Sequence, residues 1–447
     1  MNVAVAEGQP RRGSLLRVSV LVFVLNLISA TLFIAFVNRP VYDDGFNIFD
    51  VSNYAAKGVS LSTLRAQRNA PGPGSFLWMA GAVRLVGGDE LRDARIGALF
   101  SWLLLGMGVL LGAHFGRCRE LWFAALLASL VFPHSVMTAA TVLTEGPALF
   151  FSIIGALAWT KFLARADSRG TTLVHGMLGC LFLGLAVTCR QYNLALLPAA
   201  ALTTALPLRT KTWDSGQKGR FVRRSLICLA LSGGPVLLLV LVWKGIASPG
   251  IESGTSYNMM YRANVGLNLL RPVITALRVG IYLIPLTFPL MARIKSNLRL
   301  LMLAIAALGG IAAGHWTESL LQPGPLNSLV GGTGRTPLGR EIVFGAIAFV
   351  AIYNAMALAV TLWEQRMFLL SSTVATFSLL ATLFFIFEQL TVGGNIPFYD
   401  RYVLQVAPFM GAIAFAVLPS LSRGRFFAVA ALSLLSHFML WRFAFNP

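Results

Sequence analysis

The sequence predicts an all-α fold: a polytopic membrane helix bundle of about 13 transmembrane helices. Three observations point there. Only 12% of the 447 residues are charged, while 56% belong to the AVILMFWYC set. A soluble domain carries about 25% charged residues, so these charges are too few to cover a water-facing surface. Such apolar content also excludes a disordered chain. Finally, apolar runs near the ~20 residues that cross a bilayer recur along the chain.

Taken in order, the candidate spans are 16–37, 94–114, 120–139, 145–164, 171–188, 191–207, 225–245, 268–291, 298–314, 342–363, 367–388, 402–420 and 426–443. The first follows Arg11, Arg12 and Arg17 and superficially resembles a secretory leader. It exceeds the ~7–15 residues of a leader's apolar region and ends at no small-residue cleavage site, so it is read as a retained helix. The four cysteines show no CxxC or metal spacing and are read as small core residues.

The net charge is +19, from 36 basic and 17 acidic residues. With the N-terminus placed inside, inner segments hold 20 basic and five acidic residues, and outer segments hold 16 and 12. The dense stretch Arg209, Lys211, Lys218, Arg220, Arg223 and Arg224 lies inside. The basic balance is therefore a topology signal. A nucleic-acid partner is not expected, because no basic soluble domain exists. Acids contribute little to topology, so their external bias calls for another cause. Ionisable groups near a membrane are costly and tend to be functional. An external polar site is the inference.

The longest loop, 38–93, joins the first two spans. It contains two apolar stretches, roughly Gly45–Tyr54 and Phe76–Val86, each too short to span and each read as a juxtamembrane amphipathic helix. Between them lies Asn69-Ala70-Pro71-Gly72-Pro73-Gly74, where the prolines enforce extended backbone. Two further external loops, 246–267 and 315–341, are polar and Gly-rich. Gly331-Gly332-Thr333-Gly334 lacks the Lys-Ser/Thr of a phosphate loop and is read as a flexible loop. No second soluble domain is expected, and the chain is read as a single unit, 1–447.

The residues suited to chemistry sit mostly on the outer side. Asp43-Asp44 opens the first loop. One of the pair could act as general base toward an acceptor hydroxyl; alternatively the pair caps a helix N-terminus. Glu145, in Thr144-Glu145-Gly146-Pro147, is either an acid favoured in a first helical turn or a second carboxylate facing the same cavity. Arg190-Gln191-Tyr192-Asn193 is a polar tetrad between two apolar runs. Its Arg190, Gln191 and Asn193 suit a phosphate or sugar hydroxyls, or form an interfacial hairpin with a snorkelling arginine. Arg401-Tyr402 starts the twelfth span, as a phosphate ligand or as part of an aromatic belt with Asp400. Arg262 and Arg271 flank the start of the eighth span, and Arg278 lies inside it. A charge there faces the bundle interior or a wet cavity, to bind a lipid phosphate or to pair with Glu388 or Glu318. The five histidines are scattered and suggest no metal site.

In order along the chain, these pieces resemble the GT-C superfamily of membrane glycosyltransferases, which includes protein O-mannosyltransferases and the lipid A aminoarabinose transferase. The matching pieces are the acidic pair Asp43-Asp44, the turn Ala70-Pro71-Gly72-Pro73, and the stretch Leu85-Val86-Gly87-Gly88-Asp89-Glu90-Leu91-Arg92-Asp93-Ala94-Arg95. Glu145-Gly146-Pro147 stands where the family has Asp before a small residue and Pro, and Arg401-Tyr402-Val403-Leu404-Gln405 replaces a family Pro by Gln. The tetrad at 190–193 is similar to an Arg-Gln-Thr-Asn motif of the eukaryotic enzyme that adds the terminal glucose to the dolichol-linked oligosaccharide.

The resemblance covers residues 16–420. It implies an inverting transferase that moves a sugar from a polyprenyl-phosphate donor to a glycan, lipid or protein acceptor on the non-cytoplasmic face. In a bacterium that is the periplasmic side of the inner membrane. Asp43 is expected as base, with Asp44 as alternative base or orienting group and Glu145 positioning the acceptor. Arg190, Arg262, Arg271, Arg278, Arg401 and Tyr402 are expected at the phosphate, and Gln191 and Asn193 at sugar hydroxyls. No cofactor is required, and the ligand spacing gives no support for a divalent metal. Alternative readings are a transporter or flippase of lipid-linked sugars, or a polymerase. The external acids, odd span count and structured first loop argue against the transporter. The position of the largest loop, first rather than late, argues against the polymerase.

Overall fold

The computed structural model describes residues 14–69, 71–114, 118–166, 171–245, 248–249, 267–321, 325–391 and 400–445, and among these no strand occurs. Among the described residues, eight helices are long and apolar enough to cross a membrane. They are α1 (Ser14–Phe36), α5 (Glu90–His114), α8 (Glu145–Ala164), α12 (Ser215–Trp243), α13 (Leu270–Thr287, continued by a 3₁₀ turn to Arg293), α14 (Ser296–His315), α17 (Pro337–Glu364) and α21 (Arg423–Phe445). The protein is an integral, multi-pass membrane protein. The first loop holds α2 (Asp44–Lys57), α3 (Leu61–Arg65) and α4 (Pro73–Val86). The remaining elements are α6 (Arg119–Val131), α7 (Ser135–Ala140), α9 (Thr171–Cys189), α10 (Leu196–Thr203), α11 (Ala205–Thr210), α15 (Thr317–Leu320), α16 (Pro325–Thr333), α18 (Arg366–Ser371), α19 (Thr373–Glu388) and α20 (Ala407–Val417).

Thirteen unbroken spans are not what the chain forms. The run 120–139 divides into α6 and α7 at Phe132, whose ψ of 138° is the extended conformation that Pro133 imposes. The runs 191–207, 367–388 and 402–420 break into shorter pieces as well. Two of the broken segments are the most buried: every residue from Trp122 to Val131 and from Ala407 to Val417 is buried. The unbroken α12, by contrast, exposes Leu237, Leu238 and Leu241. A helix face in lipid must satisfy its own backbone, whereas a protein-buried segment can break where neighbours supply partners. Hydropathy detects burial of either kind and cannot separate them. The stretch 331–334, expected as loop, belongs largely to α16.

The central segments pack closely through small residues. A Cβ at Gly411 on α20 would lie 2.6 Å from the Ala124 carbonyl of α6 and against the Ala128 methyl. Gly411→Val is therefore expected to destabilise by about 1–3 kcal/mol through overpacking, read as a lower melting temperature in detergent.

The first-loop helices do more than rest on an interface. Val51 and Tyr54 of α2 pack with Phe76, Met79 and Val83 of α4, with Ala94 and Ala98 of α5, and with Val142. The turn between them is fastened from below. Asp50 accepts from the amides of Arg68 (3.0 Å) and Asn69 (2.9 Å). Gln67 bridges the Tyr54 hydroxyl and the carbonyls of Asn69 and Pro71. Gly72 and Gly74 lie so near Thr188 and Cys189 that a Cβ at either would collide with them. The loop is thereby seated on the C-terminal end of α9.

Candidate active site

Four breaks in helical structure meet at one place: 37–43 between α1 and α2, 141–144 between α7 and α8, Arg190 after α9, and the 3₁₀ turn Asp400–Gln405 before α20. Buried backbone at such breaks needs partners, and the first loop supplies several. The Asp44 carboxylate accepts from the Val142 amide (2.5 Å) and the Val41 amide (3.1 Å). Asn47 donates to the Val142 carbonyl (2.6 Å), and Ser75 to the Thr144 carbonyl (2.8 Å).

Asp44 is wholly buried and ion-paired to Arg95 of α5 at 2.6 Å. Arg95 also donates to the carbonyls of Val37 (2.5 Å) and Arg39 (2.7 Å). Burial raises the Asp44 carboxyl above its usual value, while Arg95 and the two amides pull it back down. Both Asp44 oxygens thus accept hydrogen bonds, and Arg95 is its charged partner.

Asp43 has the opposite environment. Its side chain is 35% exposed and its carboxylate pairs with Arg401. Tyr42, just before it, has φ 53°. That left-handed conformation costs a non-glycine residue about 1–3 kcal/mol and persists only where neighbours hold it. The hydrogen bond from the Asp44 amide to the Val41 carbonyl (3.1 Å) closes the turn that does so. Burial pushes the Tyr42 phenol above its ordinary value, with Arg401 opposing. The Arg401 guanidinium lies 5.1 Å from the Tyr42 ring and 5.7 Å from the Tyr402 ring.

Glu145, fully buried at the first turn of α8, joins the two arginines. It pairs with Arg190, and its Oε1 lies 3.4 Å from Arg401 Nε. The order across the site is thus Asp43, Arg401, Glu145, Arg190. Arg190 faces Tyr402 at 5.3 Å, and Tyr402 lies 4.9 Å from Tyr192, ring to ring. Gln405 donates to the Glu145 carbonyl at 3.4 Å. Glu145 Oε2 and Arg190 Nε are among the buried atoms with no protein hydrogen-bond partner. Buried charged donors and acceptors are rarely left so, and a ligand oxygen would satisfy the Arg190 N–H.

The other expected residues lie elsewhere. Asn193 accepts from Ser152 (3.1 Å) and donates to the Ala186 carbonyl (3.1 Å), bracing the turn after α9. Gln191 is half-buried at the start of that turn. Arg271 reaches Gln389 at 3.5 Å. Arg278 pairs at 2.9 Å with Asp400, rather than with Glu388 or Glu318. Arg262 lies outside the described residues. Among the described residues, no group of three or more His, Cys, Asp and Glu could hold a metal ion. Cys180, Cys189 and Cys228 are buried and Cys118 half-buried, and none of the four forms a disulfide.

Beside the site runs an apolar groove of about 470 Å³. Leu64, Leu77, Trp78 and Leu239 line it, and it reaches Thr188 and Cys189, the residues leading into Arg190. Leu238, also on its wall, is 65% exposed, so the groove opens sideways on the helix surface.

No family model matches the sequence, and no curated protein matches it. Solved structures do. One is ArnT from Cupriavidus metallidurans bound to undecaprenyl phosphate, at TM-score 0.38 and 14% identity, covering 94% of this chain and 76% of that one. Another is the archaeal oligosaccharyltransferase AglB from Archaeoglobus fulgidus in complex with an inhibitory peptide and a dolichol-phosphate, at TM-score 0.37 and 12% identity, covering 84% of this chain and 56% of that one. Both are GT-C glycosyltransferases. The chain is similar to these GT-C membrane enzymes. At this identity and TM-score the likeness assigns no residue a role, and the chain spans little more than half of AglB.

Proposed function

We propose that the protein is an inverting glycosyltransferase that takes its sugar from a polyprenyl-phosphate donor. The observation that carries this reading is the sequence of charges at the site: a part-exposed carboxylate, Asp43, held to two buried guanidiniums through Arg401 and Glu145. A single displacement step needs these parts. Asp43 removes the proton of an acceptor hydroxyl. The acceptor oxygen bonds to the anomeric carbon from the face opposite the leaving group, the bond from that carbon to the phosphate oxygen breaks, and polyprenyl phosphate departs with the electron pair.

The charge balance favours the step. Two acids and two arginines leave the resting site neutral. Once Asp43 holds the acceptor proton, the site carries one net positive charge as the phosphate gains one negative charge. Fixed cations aimed at developing charge in a dry site are an effective form of catalysis. Arg190, with an unused buried N–H, and Arg401 are the proposed phosphate ligands, Tyr402 orients both, and Glu145 holds them apart. The groove ending at Cys189 is the proposed seat of the polyprenyl chain, a class that includes the undecaprenyl phosphate of the ArnT complex. The proposed location is the bacterial inner membrane, with the N-terminus cytoplasmic and the site periplasmic; the excess of basic residues in the inner segments supports this.

The test is turnover in proteoliposomes supplied with a panel of undecaprenyl-phosphate sugars. The expected result is release of undecaprenyl phosphate with transfer of the sugar to an acceptor. Passage of the intact lipid-linked sugar across the bilayer, without cleavage, would replace this reading with a flippase. Filling the groove separates binding from chemistry. Leu185 also lines the groove, and Leu185→Trp is expected to raise the donor KM about tenfold (~1.4 kcal/mol) with kcat unchanged, as for lost uniform binding.

A further inference from the structure

Asp400 and Arg401 are neighbours on one 3₁₀ turn, and all six residues of that turn are buried. Their side chains are anchored in opposite directions. Arg401 goes to Asp43 and Glu145. Asp400 goes to Arg278 of α13 at 2.9 Å and to the Leu326 amide of α16 at 3.4 Å. Arg278 in turn donates to the Leu320 carbonyl at the end of α15 (3.2 Å). Both members of the Arg278–Asp400 pair are 0% exposed.

We propose that Asp400 is a positioning residue: clamped by Arg278, it sets the 3₁₀ turn so that Arg401 stands between Asp43 and Glu145. The inference rests on the functional reading above and adds a second tier of residues to it. A buried ion pair is no more stabilising than a well-packed apolar pair of similar volume, so stability alone does not account for two fully buried charges here. A 3₁₀ turn has poorer hydrogen bonding than an α-helix and holds its shape less firmly. The turn is therefore pinned at both ends, by Asp400 to α13 and by Gln405 to the Glu145 carbonyl. The pair also ties the end of α15, at Leu320, and the start of α16, at Leu326, to the turn that carries Arg401.

The experiment compares Asp400→Leu, Arg278→Met and their combination, reading detergent melting and affinity for undecaprenyl phosphate. Each single change strands a buried charge or its partner and is expected to lower melting. The combination removes both charges and is expected to recover most of the lost melting, short of the Leu326 amide's contact, while binding undecaprenyl phosphate about tenfold or more weakly. Made in an Arg401→Lys background, the combination is expected to weaken binding less than about twofold further, because coupled residues are non-additive. If the combination restores melting and affinity together, the pair only packs and the proposal fails. If it weakens binding equally in the Arg401→Lys background, it acts without Arg401 and the proposal again fails. If the combination does not fold, Asp400→Asn, which keeps the size and the acceptor oxygen, is measured against the same two criteria. An Arg401→Lys protein that binds undecaprenyl phosphate normally overturns the phosphate role of Arg401 itself, and this proposal with it.

Discussion

Asp43→Asn is expected to lower sugar transfer by about 10²–10⁴-fold, the range for loss of a general base, and to leave detergent melting near that of the parent. The two halves of this expectation have separate causes. The amide cannot accept the acceptor proton at neutral pH, so the rate falls. The stability cost is small because Asp43 is 35% exposed and its pair with Arg401 is partly solvated. Such pairs contribute about 0–1 kcal/mol. Arg401 keeps Glu145 as its second acid. Donor KM is expected to change little, since Asp43 meets the acceptor and not the lipid phosphate. A variant that keeps near-parental transfer would remove Asp43 from the chemistry.

Asp44→Asn, one residue away, is expected to do the reverse and destabilise the protein by about 3–5 kcal/mol, the cost of stranding a buried charge. The stranded charge is Arg95, 1% exposed, which would keep only the carbonyls of Val37 and Arg39 as acceptors. Replacing both, as Asp44→Leu with Arg95→Met, is not expected to recover stability. The amides of Val41 and Val142 then lose their acceptor, at about 1–3 kcal/mol each. This separates Asp44 from the Arg278–Asp400 pair, whose double replacement leaves one amide, Leu326, without its longer 3.4 Å acceptor and is expected to recover most of the melting temperature. Melting curves of the four proteins decide the matter. An Asp44→Asn protein that melts like the parent but loses transfer would return Asp44 to the role of base.

These two aspartates show what the sequence could and could not convey. Charge, hydropathy and loop length are enough to expect a membrane bundle with helices in the first loop. They also bring Asp43, Glu145, Arg190 and Arg401 forward, because ionisable residues at helix ends in an apolar chain stand out. The structure gathers those four. The sequence could not tell Asp43 from Asp44, since adjacent residues differ here only by which way a strained Tyr42 turn aims them. Nor could it pair Asp44 with Arg95 or Asp400 with Arg278, which are contacts across 51 and 122 positions. Nor could it show that Asn193 bonds Ser152 and the Ala186 carbonyl, or that Arg271 reaches Gln389. The breaks within the apolar runs were hidden for the same reason: α6, α7 and α20 are apolar because protein surrounds them, and their breaks at Phe132 and Val406 answer to partners distant in sequence.

The most direct test of the central claim is native mass spectrometry of the detergent-solubilised protein with added undecaprenyl phosphate, alongside Arg190→Met and Arg401→Lys. The expected result is one lipid phosphate retained by the parent, and affinity weakened about tenfold or more in each variant. Equal retention by all three proteins, or no preference for undecaprenyl phosphate over bulk phospholipid, would contradict a phosphate site at Arg190 and Arg401.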